Sequence, residues 1–176
     1  MIQAAWSKSS NSPGEPEIEI KRAALLAWEG HLTSVEYMEI RNKSITDIPQ
    51  DQMKMLASIV TGIVSINNMT HTDQLGSILA SIKCPELSLW NMYLSDTETR
   101  AVITAMRDRV QTVYLHDITL DIEELTQYDG QGCCSELQVW DDTKRRYGGG
   151  LGRWAEDIGW TVSQDIDGRC LEMTRE

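Results

Sequence analysis

Histidines and cysteines are the side chains best suited to nucleophilic or metal chemistry in this 176-residue chain, which has three of the first and four of the second. His31 precedes an alternating apolar run, His71 stands at a turn, and His116 sits inside such a run. No serine or cysteine has a base at a spacing that would build a nucleophile. Cys133 and Cys134 are adjacent, whereas structural zinc sites pair ligands two residues apart; no C-x-x-C or H-x-x-x-H pair occurs. With Cys84 and Cys170 they are expected to be buried, reduced thiols. The run GGGLGRW (148–154) shares only its glycines with phosphate loops, because it lacks the Gly-Lys-Ser/Thr ending and the strand-to-helix setting. Arg145, Arg146 and Arg153 could hold an anion there, but a flexible connection before a cap is the expectation. Glu123-Glu124 and Asp141-Asp142 lack a second carboxylate pair that would complete a calcium or catalytic site, and they read as solvated surface. The expectation is a protein without catalysis, metal or cofactor.

What remains is recognition chemistry. LSLWNMYLSD (87–96) puts Leu87 and Leu89 on one side of a strand and turns Trp90 to the other. A large aromatic there needs an explanation, and other segments supply one. VYLHDITL (113–120), LQVWD (137–141), VSINN (64–68) and MEIRNKSI (38–45) share the pattern. The second apolar residue of each falls at Ile40, Ile66, Leu89, Leu115 and Val139, so the steps are 26, 23, 26 and 24 residues. Self-similarity at 20–29 residues is the signature of leucine-rich repeats. Each strand is followed by a segment of helical spacing: DQMKMLASIV (51–60), DQLGSILASI (73–82) and DTETRAVITAM (96–106). Asp51, Asp73 and Asp96 stand where a carboxylate can cap a helix or occupy its first turn. Met55, Ile59 and Val60 are expected to share one helix face, as are Leu75, Ile78, Leu79 and Ile82.

This pattern predicts an α/β fold: a short leucine-rich-repeat solenoid of about five strand–helix repeats. Its parallel sheet lines the concave face, and caps close the N- and C-terminal ends. The predicted organisation is a disordered segment 1–16, an N-terminal cap 17–34, repeats 35–147 and a C-terminal cap 148–176. In the last of these, Trp160 to Val162 and Cys170 to Met173 flank an Asp167-Gly168 turn, the pattern of a hairpin lid.

LSLWNMYLSDTETRAVITAMRD and its copies resemble ribonuclease-inhibitor-like leucine-rich repeats. LTLDIEELTQYDG and RWAEDIGW are similar to segments that end the repeat regions of NACHT and death-fold innate immune receptors of invertebrate chordates. The resemblance spans roughly residues 31–160 and implies a setting in innate immune sensing or its regulation. One departure stands out. The family places Asn or Cys three residues after the second strand leucine, and this chain has Lys43, Met69, Met92, Ile118 and Asp142 there. The polar residue comes one earlier, at Asn42, Asn68, Asn91, Asp117 and Asp141. Buried turn backbone still needs partners.

Strand alternation then sorts the outward residues into two columns. One is Glu39, Ser65, Ser88, Tyr114 and Gln138; the other is Arg41, Asn67, Trp90, His116 and Trp140. With strands about 4.8 Å apart, Trp90, Tyr114, His116 and Trp140 become one exposed patch. Arg41, Asn67, Trp90, Tyr114, His116, Gln138 and Trp140 are the candidate partner-binding residues, in a composition typical of protein–protein hot spots. The expected partner is a protein, with a second copy of the chain (a homodimer) as the specific version. A small-ligand or carbohydrate receptor using the same aromatics is the alternative. The net charge of −11 argues against nucleic acid and anionic membrane. No apolar run reaches the ~18 residues of a membrane span. Met1 to Asn11 lacks the basic start and apolar run of a signal peptide, so a cytoplasmic location is expected.

Overall fold

The computed structural model describes residues 20–41, 48–69, 73–141 and 150–175. The expected disorder of 1–16 and the calls on Asn42, Lys43, His71, Asp142, Arg145 and Arg146 lie outside those residues.

Helices and strands alternate along the chain: α1 Ile20–Trp28, β1 Val35–Arg41, α2 Gln50–Ser58, β2 Val60–Asn67, α3 Asp73–Ser81, β3 Glu86–Trp90, α4 Asp96–Asp108, β4 Thr112–His116, α5 Ile122–Leu125, β5 Glu136–Trp140 and α6 Gly150–Asp157. An antiparallel hairpin, β6 Thr161–Gln164 and β7 Cys170–Thr174, follows. The seven strands form one mostly parallel sheet in the order β1-β2-β3-β4-β5-β7-β6. Helices α1 to α5 pack successively against one another as a second layer.

Two apolar rows run across the sheet beneath those helices. One joins Met38, Val64, Leu87, Val113, Leu137 and Met173, and the next joins Ile40, Ile66, Leu89, Leu115, Val139 and Leu171. All but the partly buried Leu171 are fully enclosed. The residues picked out by the sequence period are therefore hydrogen-bonded neighbours. Shifting one strand by a residue would expose both its row members, so the rows fix the register.

The shifted polar residue has a physical account. Asn68, Asn91 and Asp117 adopt the left-handed conformation, with φ of 54°, 50° and 50°. Asn and Asp tolerate that region better than other side-chain-bearing residues. Their backbone N–H groups donate to the carbonyls of Trp90, His116 and Trp140 at 3.0, 2.9 and 2.9 Å, and Asp141 donates to Arg169 at 2.8 Å. The turn is thus satisfied by one further rung of the ladder. It also swings Met69, Met92 and Ile118 back into the core.

Several sequence expectations need correction. The buried face of α2 is Met53, Leu56 and Ala57; Met55 is exposed, Ile59 ends the helix and Val60 opens β2. Asp51 and Asp96 do stand in the first turns of α2 and α4, and the residue that caps α4 is Ser95. Its hydroxyl accepts from the Glu98 N–H at 3.4 Å while the Glu98 carboxylate accepts from the Ser95 N–H at 2.8 Å. GLGRW forms the start of α6, because Leu151, Trp154, Ala155 and Ile158 recur at helical spacing. Trp160 is buried ahead of the hairpin, edge-on to Tyr128 with ring centroids 6.1 Å apart. The hairpin lengthens the sheet in its own plane and does not cover it. Glu124 is buried and ion-paired with Arg100, whose hydrogen bond pulls its carboxyl below the ordinary range, and Asp141 is buried too. Between β1 and β2 the register slips at a bulge, where a Cβ on Gly62 would stand 2.2 Å from the Glu36 carbonyl oxygen.

Two outcomes are expected in chemical denaturation. Asn91→Gly should leave stability within about 0.5 kcal/mol, and Asn91→Ala should lose about 1 kcal/mol, because alanine pays the left-handed penalty. An equal effect of the two would remove the backbone explanation. The second concerns Tyr128, whose hydroxyl is buried without a hydrogen-bond partner and whose pKa burial pushes up to about 12. A raised folded-state pKa means stability present at neutral pH and lost as pH rises from about 10, the unfolded value, toward 12. Tyr128→Phe should be neutral or stabilising at pH 7 and flatten that alkaline loss.

Candidate functional site

Outward-facing strand residues bring all seven predicted partner-binding side chains onto the face opposite the helices. Arg41, Asn67, Trp90, His116 and Trp140 occupy one continuous register row. The parallel row beside it is Glu39, Ser65, Ser88, Tyr114, Gln138 and Glu172. Among the described residues no helix packs on this face.

Aromatic contact dominates one rim. The Trp90 and His116 rings stack with centroids 4.3 Å apart, and His116 and Trp140 stack at 6.1 Å, each pair tilted by 25°. The three rings shield one another, so they are partly buried where the sequence pattern suggested free exposure. Nδ1 of His116 is enclosed and lies 3.4 Å from the Asp117 carboxylate, outside hydrogen-bond geometry. Trp140 donates its indole N–H to the Gln138 carbonyl oxygen at 3.3 Å. The Gln138 amide in turn donates to Glu136 at 2.7 Å and Glu172 at 3.5 Å. Gln138 therefore orients the outer tryptophan and ties it to two carboxylates.

At the other end of the row, Arg41 is held by Glu39 through bonds of 2.7 and 3.1 Å. Asn67 has its side-chain oxygen buried without a hydrogen bond. Between them and Trp90 lies a groove of about 550 Å³, lined by Tyr37, Glu39, Arg41, Ser65, Asn67 and Glu86 among others.

Of the carboxylates on this face the sequence reading placed Glu39 and missed Glu86, Glu136 and Glu172. Glu86 and Glu136 share a third outward row with Tyr37, Ile63 and Thr112. The signal was present: ELSLW (86–90) and ELQVW (136–140) repeat a glutamate four residues before each tryptophan. Their effect reaches Tyr114, whose pKa is raised first by burial and then by Glu136, Glu86 and Glu172.

The chemistry the sequence set aside is scattered in space. His31 is exposed near Glu29, away from the sheet rows. Among the described residues no three His, Cys, Asp or Glu side chains are grouped to hold a metal ion, and no helix is long and apolar enough to cross a membrane. All four thiols are free; Cys84, Cys134 and Cys170 are buried, but Cys133 is exposed, contrary to expectation. Cys84 and Cys134 hold equivalent places at strand entries, with Sγ 2.9 and 3.4 Å from the carbonyl oxygens of Glu86 and Glu136. Burial pushes the Cys84, Cys134 and Cys170 pKa values up to about 11.

No protein-family model matches the chain, and neither curated proteins nor solved structures yield a significant match.

Thiol labelling with a chromogenic disulfide at pH 8 should show one fast equivalent, abolished by Cys133→Ser, and three that react only on unfolding. Two or more fast equivalents would contradict the packing of the strand entries.

Proposed function

We propose that this chain is a non-catalytic protein-interaction module: a short leucine-rich-repeat solenoid whose concave sheet face receives a partner. The stacked Trp90–His116–Trp140 row carries this reading. Aromatic rings with polar tips, fixed by a rigid sheet, present large contact area with little side-chain entropy left to lose. The strand–helix alternation, with each strand of the parallel part beside its sequence neighbour, supports the repeat architecture. By its resemblance to immune-receptor repeats, the setting is innate immune sensing or its regulation, in the cytoplasm.

Were the partner a second copy of the chain, a stable dimer would have to bury about 800 Å² per partner. The groove beside Trp90 supports a second reading, a small-ligand or carbohydrate receptor, since its volume of about 550 Å³ falls in the range of ligand sites.

Light scattering across a concentration series, for wild type and Trp90→Ala/Trp140→Ala, tests the face. The double variant should keep its far-ultraviolet circular dichroism and lose association, with itself or with a captured protein, by about 100-fold or more. Association that survives in the folded double variant would move the interface to the helices or the ends. A saturable tryptophan-fluorescence change with a monosaccharide panel would favour the small-ligand reading.

A further inference from the structure

We infer that the occupant of this face is an extended segment of another protein rich in arginine and lysine; the inference rests on the protein-binding reading above. Charge and ring chemistry argue for it together. The outward strand rows bear four carboxylates, Glu39, Glu86, Glu136 and Glu172, against one arginine, Arg41, which Glu39 already engages. The carboxylates flank the aromatic row from one side. Glu86 and Glu136 are four residues upstream of Trp90 and Trp140 on the same strands, about 13 Å away at strand rise. Glu172 and Glu39 sit in the row between. Burial first, and then the nearness of Glu136, Glu86 and Glu172, raises the Tyr114 pKa.

Separate guanidinium groups along one segment suit both halves of such a surface. A guanidinium stacks flat on indole or imidazole rings, and another takes carboxylates in a two-pronged fork. An extended chain suits the shape, because a groove runs between Tyr37 and Trp90 and successive same-side residues of a strand can reach neighbouring rows. A second copy fits the charge poorly. Two such faces brought together would put a second set of Glu86, Glu136 and Glu172 into the same interface, on a chain whose net charge is −11.

The test is selection of a phage-displayed random 12-residue peptide library on the wild-type chain, with counter-selection on Trp90→Ala/Trp140→Ala. Enriched sequences should carry a net positive charge, with arginine above its frequency in the naive library. The best peptide should then bind Glu86→Gln/Glu136→Gln about tenfold more weakly than wild type, and the gap should shrink at 0.5 M salt. Circular dichroism of each variant checks that it is folded. Neutral or acidic peptides that depend on the tryptophans would overturn the basic-segment inference and leave the protein-binding face standing. So would a wild-type dimer that the tryptophan substitutions dissolve. Peptide binding equal on wild type and both variants would overturn the inference and the face together.

Discussion

Everything on the open face depends on the register of the sheet beneath it. Two rows of aliphatic and methionine side chains, one through Leu87 and one through Leu89, cross six strands without a break. Burial under the helices makes each row intolerant of slippage, since a one-residue shift in any strand would turn its core side chains outward. The outward rows inherit that order. Trp90, His116 and Trp140 stack because Leu89, Leu115 and Val139 are locked side by side one residue earlier. The geometry of the aromatic row is a by-product of core packing.

The sequence made this register legible because alternation and period were both strong. Ile40, Ile66, Leu89, Leu115 and Val139 were spaced by pattern alone and turn out to be partners in one row. Alternation then assigned the outward columns correctly. What it could not show was how far ring-on-ring contact would bury the aromatics, because shielding depends on side-chain rotamers that spacing does not encode. It also let the glutamates pass as ordinary surface charge. A carboxylate at the strand entry becomes part of a site only once Glu86 and Glu136 are seen in the same row.

The errors at the helices have a common cause. DQMKMLASIV reads as one apolar helical stretch, yet it holds the end of α2 and the first residue of β2, since Ile59 closes the helix and Val60 pairs with Val35. Short units leave little room between elements, so a single apolar residue changes its allegiance across a boundary. In GGGLGRW the glycines masked the helical spacing of Leu151, Trp154 and Ala155, and low helix propensity was outweighed by burial of that face. The turns show the opposite case. Asn and Asp at one fixed offset were visible as a departure from the family pattern, and only φ explained them.

The terminal hairpin has a consequence for how such a chain can change in size. Beyond β5 the neighbour runs the other way, so β7 offers β6 an antiparallel edge and no parallel strand–helix unit is seated there. A further unit gained by duplication has its natural place inside the parallel stretch, between existing units of matching turn chemistry. Each such event would widen the outward rows by one strand spacing, about 4.8 Å. The width of the outward face is then counted in whole strand spacings.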